Sequence, residues 1–221
     1  MVDGYHPPVE EYLETVHSLN EEGTPVIQAR IAERLGRSAP SVSEMLERLA
    51  DDGYVRRAGR VVELTPKGSE LAEKVVRKHR LAERLLADVI GLEWHKVHNE
   101  AGRWEHVISD DVEARLIDLL DDPATCPHGN PIPGSHRRAD IAAQRPLSEC
   151  STGDVVRLER IGEDVELDTH ALVYLDEHRF VPGARATVAS RAPDGTLVLE
   201  VGGDTMALGA DICRRLYVVT P

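Results

Sequence analysis

Residues 27–55 read IQARIAERLGRSAPSVSEMLERLADDGYV, and the punctuation of this stretch decides the fold. A short amphipathic run ends at Gly36, the residue type that most readily takes the left-handed conformation closing a helix. Ser38 opens a second helix with Pro40 in its first turn, where a missing amide donor costs little. Val42, Met45, Leu46 and Leu49 then recur at helical spacing until Gly53. Two helices joined by a tight glycine turn make a helix-turn-helix. YVRRAGRVVELT, residues 54–65, follows as two short strands around Ala58-Gly59, a basic wing.

Upstream, PVEEYLETVHSLNE over 8–21 sets Val9, Tyr12, Leu13, Val16 and Leu19 on one stripe of period 3.6. Downstream, Thr65-Pro66 caps a long helix that runs to about Ile90 and stops at Gly91. Residues 93–107 and 110–120 read as two more helices, the latter capped by Ser109. At Asp121 the character changes, and DDPATCPHGNPIPGSHRRADIAAQRPLSE is rich in Pro, Gly and Ser, a linker composition. From about Ser151 five short alternating runs separated by glycine turns predict a small β-barrel. The expected fold class is therefore α+β. Its parts are a winged helix-turn-helix over 1–70, a helical domain over 71–134, a linker over 135–150 and a barrel over 151–221.

The chain has 221 residues and a formal net charge of −13, which argues superficially against nucleic acid. Residues 28–80, however, hold 12 Lys or Arg against 8 Asp or Glu. Local rather than total charge makes a phosphate-facing surface. No apolar run is long enough to span a membrane, and the start MVDGYHPPVEEYLE lacks the basic and apolar parts of a signal peptide. Three cysteines, Cys126, Cys150 and Cys213, have no disulfide spacing, so a reducing cytoplasm is the expected setting.

His79 and Glu83 lie one turn apart on the long helix, and His98, Glu105 and His106 follow on the next helical segment. Imidazoles and carboxylates gathered between helices are costly without a cation, so the set points to a divalent transition metal. Gly102, on the same face, contributes no side chain.

ARIAERL, S-x-P-S-V-S, VRKHRLAERLL, KVHNEAGRWEHVISD and GNPIPG, in this order over residues 8–134, resemble the diphtheria-toxin-repressor family of metal-dependent regulators, which includes iron and manganese types. The last 70 residues resemble that family's SH3-like domain, also found in ferrous-iron transport proteins. The resemblance implies a homodimeric repressor that binds operator DNA when metal-loaded, with the helical domain serving metal binding and dimerisation. Leu92, Trp94, Trp104 and Ile108 are the candidate dimer residues. It also implies two metal sites per chain. One joins the N-terminal helix to Gly102, Glu105 and His106. The family's iron type has methionine and cysteine where this chain has Glu11 and Gly102. With Glu14 one turn after Glu11, the carboxylates favour manganese(II) over iron(II), while Co(II) or Zn(II) would also bind in vitro. The other site uses His79, Glu83 and His98. Cys126 and His128 from the linker, and Glu166, Asp168 or His170 from the last domain, are its further candidates.

On the DNA side, Ser38, Ala39, Pro40, Ser41, Ser43 and Glu44 would face the major groove from the start of the recognition helix. Short hydroxyls and a proline suit contact with thymine methyls, with part of the recognition left to DNA shape. Arg30, Arg37, Arg48, Arg56, Arg57 and Arg60 are candidate phosphate contacts. Glu44 stands where relatives often carry glutamine. An iron-responsive repressor and, from another class, a binuclear metallohydrolase are the rivals. The second would need an open coordination position and a substrate cleft, and no Ser/His/Asp set, phosphate loop or cofactor fingerprint is present.

Overall fold

The computed structural model describes residues 7–220; residues 1–6, the start of the stretch read above for targeting signals, lie outside the described residues. The chain forms two compact units. One runs through His79 and takes in Gly102–Glu113, and the other comprises Arg80–Ala101 and the chain from Ala114 onward.

In the first unit, helix α1 (Pro7–Glu21) lays Tyr12, Leu13, Val16 and Leu19 into the core, each 4% exposed or less. Helix α2 (Gln28–Leu35) buries only Ile31 and ends at Gly36 with φ 60°. The Arg37 amide reaches back to the Ala32 carbonyl at 3.0 Å, so the left-handed glycine satisfies the last turn. Helix α3 (Ala39–Asp51) has Ser38 as its cap, whose side chain accepts from the Ser41 amide, and Pro40 in its first turn. Val42, Leu46 and Leu49 are fully buried. Gln28 Nε2 donates to the Ala39 carbonyl at 2.9 Å and ties the two helices together.

The wing pairs β1 (Val55–Ala58) with β2 (Val61–Leu64), antiparallel, from Val55↔Leu64 to Ala58↔Val61. Helix α4 (Pro66–Arg84) begins directly behind it. Gly68 allows the close approach there, because a Cβ would lie 1.9 Å from the Tyr54 carbonyl oxygen. Lys74 and Lys78 pair with Asp110, and Arg77 with the buried Glu113, fastening the start of helix α6 (Asp110–Leu119) to α4.

In the second unit a wider π-type turn, Leu85–Ile90, ends at Gly91 with φ 76°. A 3-10 turn (Trp94–Lys96) leads into helix α5 (Val97–Trp104). The C-terminal sheet has six antiparallel strands in the order β3-β8-β4-β5-β6-β7. They are β3 (Arg145–Pro146), β4 (Val155–Ile161), β5 (Arg185–Arg191), β6 (Leu197–Val201), β7 (Asp204–Leu208) and β8 (Leu216–Val219). β3 was not among the five expected strands. A two-residue strand containing a proline carries no alternation to read, and it lies in the stretch read as linker. Register shifts in β4 and β5 curl the sheet around Leu158, Phe180, Val188 and Leu199.

Three helices went unread in this domain: α7 (Glu163–Glu166), α8 (Thr169–Glu177) and α9 (Ala210–Arg215). α7 and α9 are too short for periodicity to show. At the β7 edge, the Tyr174 hydroxyl accepts from the Ala207 amide at 3.1 Å and lies 3.2 Å from its carbonyl oxygen, closing that stretch of edge to another strand.

Candidate metal centres and DNA-facing surface

The first unit gathers carboxylates and imidazoles at the base of the winged helix. Glu14, His79 and Glu105 bring one ligand atom each within 4.8 Å of one another. His79 Nδ1 hydrogen-bonds Glu105 Oε2. His106 Nδ1 lies 2.5 Å from Glu10 Oε2, and His106 Nε2 lies 3.1 Å from Glu105 Oε1. The Glu10 hydrogen bond raises the His106 pKa above the ordinary imidazole value against the opposing effect of burial, and Glu105 adds to it.

This placement corrects one expectation. The carboxylate that meets His106 is Glu10, whereas Glu11 reaches toward Arg37 at 4.0 Å. One residue turns a side chain by about 100° around a helix, so Glu10 and Glu14 share a face that Glu11 does not. That i, i+4 spacing was available in the sequence. Gly102 is half-buried, and a Cβ built on it meets nothing within 4 Å. A lack of space therefore does not account for the glycine.

The second unit holds a more enclosed cluster. Glu83, Cys126, His128 and Glu166 are all buried, with ligand atoms within 4.8 Å of one another. His128 Nδ1 lies 3.1 Å from Glu83 Oε1 and 3.2 Å from Glu166 Oε2. His98 Nδ1 lies 3.2 Å from each of the same two oxygens, and Glu163 approaches His98 Nε2 at 3.8 Å.

Burial opposes a charge on His128, but Glu166 and Glu83 outweigh it and hold its pKa well above the usual value. Burial likewise opposes ionisation of Glu166, yet His128 draws its pKa down to about 2. Burial and the Glu83 charge push the Cys126 thiol up to about 11.

The loop that carries Cys126 and His128 is pinned from both sides. Arg84 donates to the Thr125 carbonyl at 2.6 Å and to the Cys126 carbonyl at 3.2 Å, and Arg80 donates to that of Pro131. The Ile161 amide donates to the His128 carbonyl at 2.9 Å, and Asn130 Nδ2 holds Glu166 Oε1. Gly129 is required, since a Cβ would lie 1.9 Å from the Glu159 carbonyl oxygen.

Two expected ligands from the last domain are elsewhere. Asp168 caps α8, accepting from the His170 and Ala171 amides at 3.0 and 3.2 Å, and His170 is fully exposed. An acidic residue preceding Thr-His-Ala-Leu is used as a cap because the free amides of a helix start are its nearest donors.

On the DNA side, Ser38, Ala39, Pro40, Ser41 and Glu44 are exposed, and half-buried Ser43 donates to Glu47 at 3.4 Å. Arg30 pairs with Glu33, Arg48 with Asp52 and Arg56 with Glu63, all on the surface; Arg57 and Arg60 are exposed on the wing. Of the candidate dimer residues, Leu92, Trp104 and Ile108 are half-buried. Trp94 instead packs on the C-terminal core and donates to the Pro127 carbonyl at 3.1 Å.

The comparisons with known proteins agree with this architecture. The N-terminal DNA-binding domain model of iron-dependent repressors matches residues 6–60, their metal-binding and dimerisation domain model matches 65–134, and the FeoA domain model matches 145–220. The diphtheria toxin repressor of Corynebacterium efficiens is 57% identical over 220 residues, covering 95% of this chain and 94% of that protein. The iron-dependent repressor IdeR of Mycobacterium tuberculosis is 44% identical over 219 residues, 95% of each chain. This chain belongs to the diphtheria toxin repressor family of iron-dependent repressors.

A family member solved as a manganese-dependent transcriptional repressor in complex with manganese superposes with a TM-score of 0.86 at 31% identity, over 96% of this chain and 100% of the other. The chain is thus a metal-dependent transcriptional repressor with a DNA-binding domain, and not an enzyme.

Both sets of residues fit the metal dependence of the repressor family. His128 Nε2 is a buried nitrogen without a hydrogen-bond partner among the described residues, and it sits among two carboxylates and a thiol. In the first unit three carboxylates meet two imidazoles, a donor set that suits hard and borderline divalent ions. Two residues of these sets, Glu10 and Glu163, were not singled out from the sequence.

Proposed function

We propose that this repressor binds operator DNA as a homodimer in the cytoplasm when loaded with manganese(II), with two metal sites per chain. The observation that carries this reading is the convergence of Glu10 and Glu14 on His79, Glu105 and His106, which ties the first helix of the winged domain to a metal-type donor set. Bound metal supplies the positive charge that lets those carboxylates remain ionised at close range. Glu10 and Glu14 then hold α1 against α4, and the recognition helix α3 is presented from a fixed base. In a dimer, the recognition helices would enter successive major grooves about 34–36 Å apart. Exposed Val89, Ile90 and Val107, at 56%, 56% and 71%, supply apolar surface for a second copy.

Manganese is favoured because the first set offers only carboxylates and imidazoles, Gly102 contributing no side chain. Glu83, His98, Cys126, His128 and Glu166 form the second site. Its Cys126 thiol favours the alternative reading, an iron(II)-responsive repressor, as does the iron dependence of IdeR.

Anaerobic titration of Mn(II), Fe(II), Co(II) and Zn(II) against polarisation of labelled promoter duplexes decides between them. Mn(II) giving tight binding at free concentrations where Fe(II) does not supports manganese, and the reverse order supports iron. Duplex binding indifferent to metal and to chelator would overturn the reading.

A further inference from the structure

The two residues that follow Glu10 on α1 touch the recognition helix. Glu11 lies 4.0 Å from the Arg37 guanidinium, and Arg37 immediately precedes the Ser38 cap of α3. Tyr12 is 4% exposed, its ring in the same core as Leu13, Val16, Val42 and Leu46. Burial raises the Tyr12 pKa, while neighbouring Arg37 and a hydrogen bond with the Ser41 side chain pull it down. Ser41 stands in the first turn of α3, its amide held by the Ser38 hydroxyl, and is exposed there. One turn of α1 therefore carries two carboxylates of the first metal centre, Glu10 and Glu14, and between them the two residues that reach the DNA-facing end of α3.

We propose that Tyr12, assisted by Glu11, is a positioning residue that transmits occupancy of the first metal centre to the recognition helix by holding the Ser41 hydroxyl and the Arg37 guanidinium in place. The inference rests on the proposed metal-dependent binding of DNA. Its physical basis is the place of Tyr12 near a helix start. The first turn of a helix lacks amide partners and opens readily unless something ties it down. With Glu10 and Glu14 both engaged, that turn is clamped at either end of the Glu11-Tyr12 pair. With them disengaged, fraying moves the phenol off Ser41. A side chain that bonds α3 only when α1 is clamped gives metal and DNA a shared conformational element, and their coupling is then reciprocal.

The test uses the full-length protein and a duplex recovered from a random-sequence pool by the Mn(II)-loaded wild type. Affinity is measured by polarisation with Mn(II) and with chelator, for wild type, Tyr12→Phe, Ser41→Ala and the double variant. Tyr12→Phe keeps the ring in the core and removes only the hydroxyl, and calorimetry should show its Mn(II) affinity unchanged. The ratio of affinities with and without Mn(II) is expected to fall about 3- to 10-fold in Tyr12→Phe, the range one hydrogen bond supplies. The double variant should lose no more than the larger of the two single losses.

Full Mn(II) stimulation in Tyr12→Phe, or additive losses in the double variant, overturns the relay and leaves Ser41 a plain DNA contact. A wild type that binds the duplex equally with and without Mn(II) fails earlier. That result overturns the proposed metal dependence itself, a different outcome from a relay that fails while the wild type responds.

Discussion

At the residue scale the chemistry turns on which carboxylates meet which imidazoles. Glu10 faces His106 at 2.5 Å, while Glu11 is engaged by Arg37. Glu10→Gln is therefore expected to weaken Mn(II) binding at the first centre by at least about tenfold, the scale on which even outer-shell losses act. Glu11→Gln should leave it within about twofold, since a partner at 4.0 Å on the surface adds little. Calorimetric titration of the two variants checks both values, and equal losses would return Glu11 to the ligand set.

His128 gives a pH prediction. Glu166 and Glu83 overcome the cost of burying its charge and raise its pKa in the metal-free fold. Protonated His128 thus stabilises that fold fully below the ordinary imidazole value of about 6.5, and the contribution fades as pH rises through the elevated native value. Metal competes for the same nitrogen lone pairs and the Cys126 sulfur, so affinity at the second site should rise with pH over that window. Melting of the metal-free protein should show a fall in stability above about pH 6.5 that is absent in His128→Asn.

Elements are governed by their ends and by their glycines. Gly68 at the start of α4 and Gly102 in α5 look alike as letters, but their surroundings differ. At Gly68 a methyl would collide with the Tyr54 carbonyl oxygen, and Gly68→Ala should destabilise by about 1–3 kcal/mol. At Gly102 the space is open and the backbone helical, so Gly102→Ala should stabilise by about 0.5–1 kcal/mol. Urea unfolding of the two variants in the metal-free state measures both, and destabilisation by Gly102→Ala would show that the site demands glycine.

The end of α3 was legible at this scale as well. Gly36, Ser38 and Pro40 act through the backbone of their own turn, so a helix boundary could be placed from them alone. α7 and α9, at four and six residues, span too few turns for a periodic signal to accumulate.

For the whole molecule, charge is unevenly placed. A chain of net charge −13 offers DNA the exposed arginines of its wing and of its recognition helix. Arg57 is exposed, and its loss should weaken binding by a similar factor on every sequence. It should also make the slope of log affinity against log salt shallower by about one unit per subunit. Polarisation titrations at several salt concentrations read that slope; an unchanged slope would place Arg57 away from the phosphates.

The sequence by itself determined the order of domains, the helix-turn-helix and the presence of metal-type donors on α4 and α5. Caps, glycine stops and hydrophobic periods act within a few residues, so their consequences are local and readable. Only the tertiary structure decided which donors converge. Glu10 rather than Glu11 meets His106 because of a 100° turn about α1 acting across 96 residues of chain. His128 meets Glu166 because the Ile161 amide and Asn130 dock a loop onto the start of the C-terminal sheet. Asp168, three positions past Glu163 in the reading frame of a second acidic run and just as suitable a ligand by type, is taken instead by the helix cap beside it. Residue type limits what a side chain can bind; packing sets which partners come within reach.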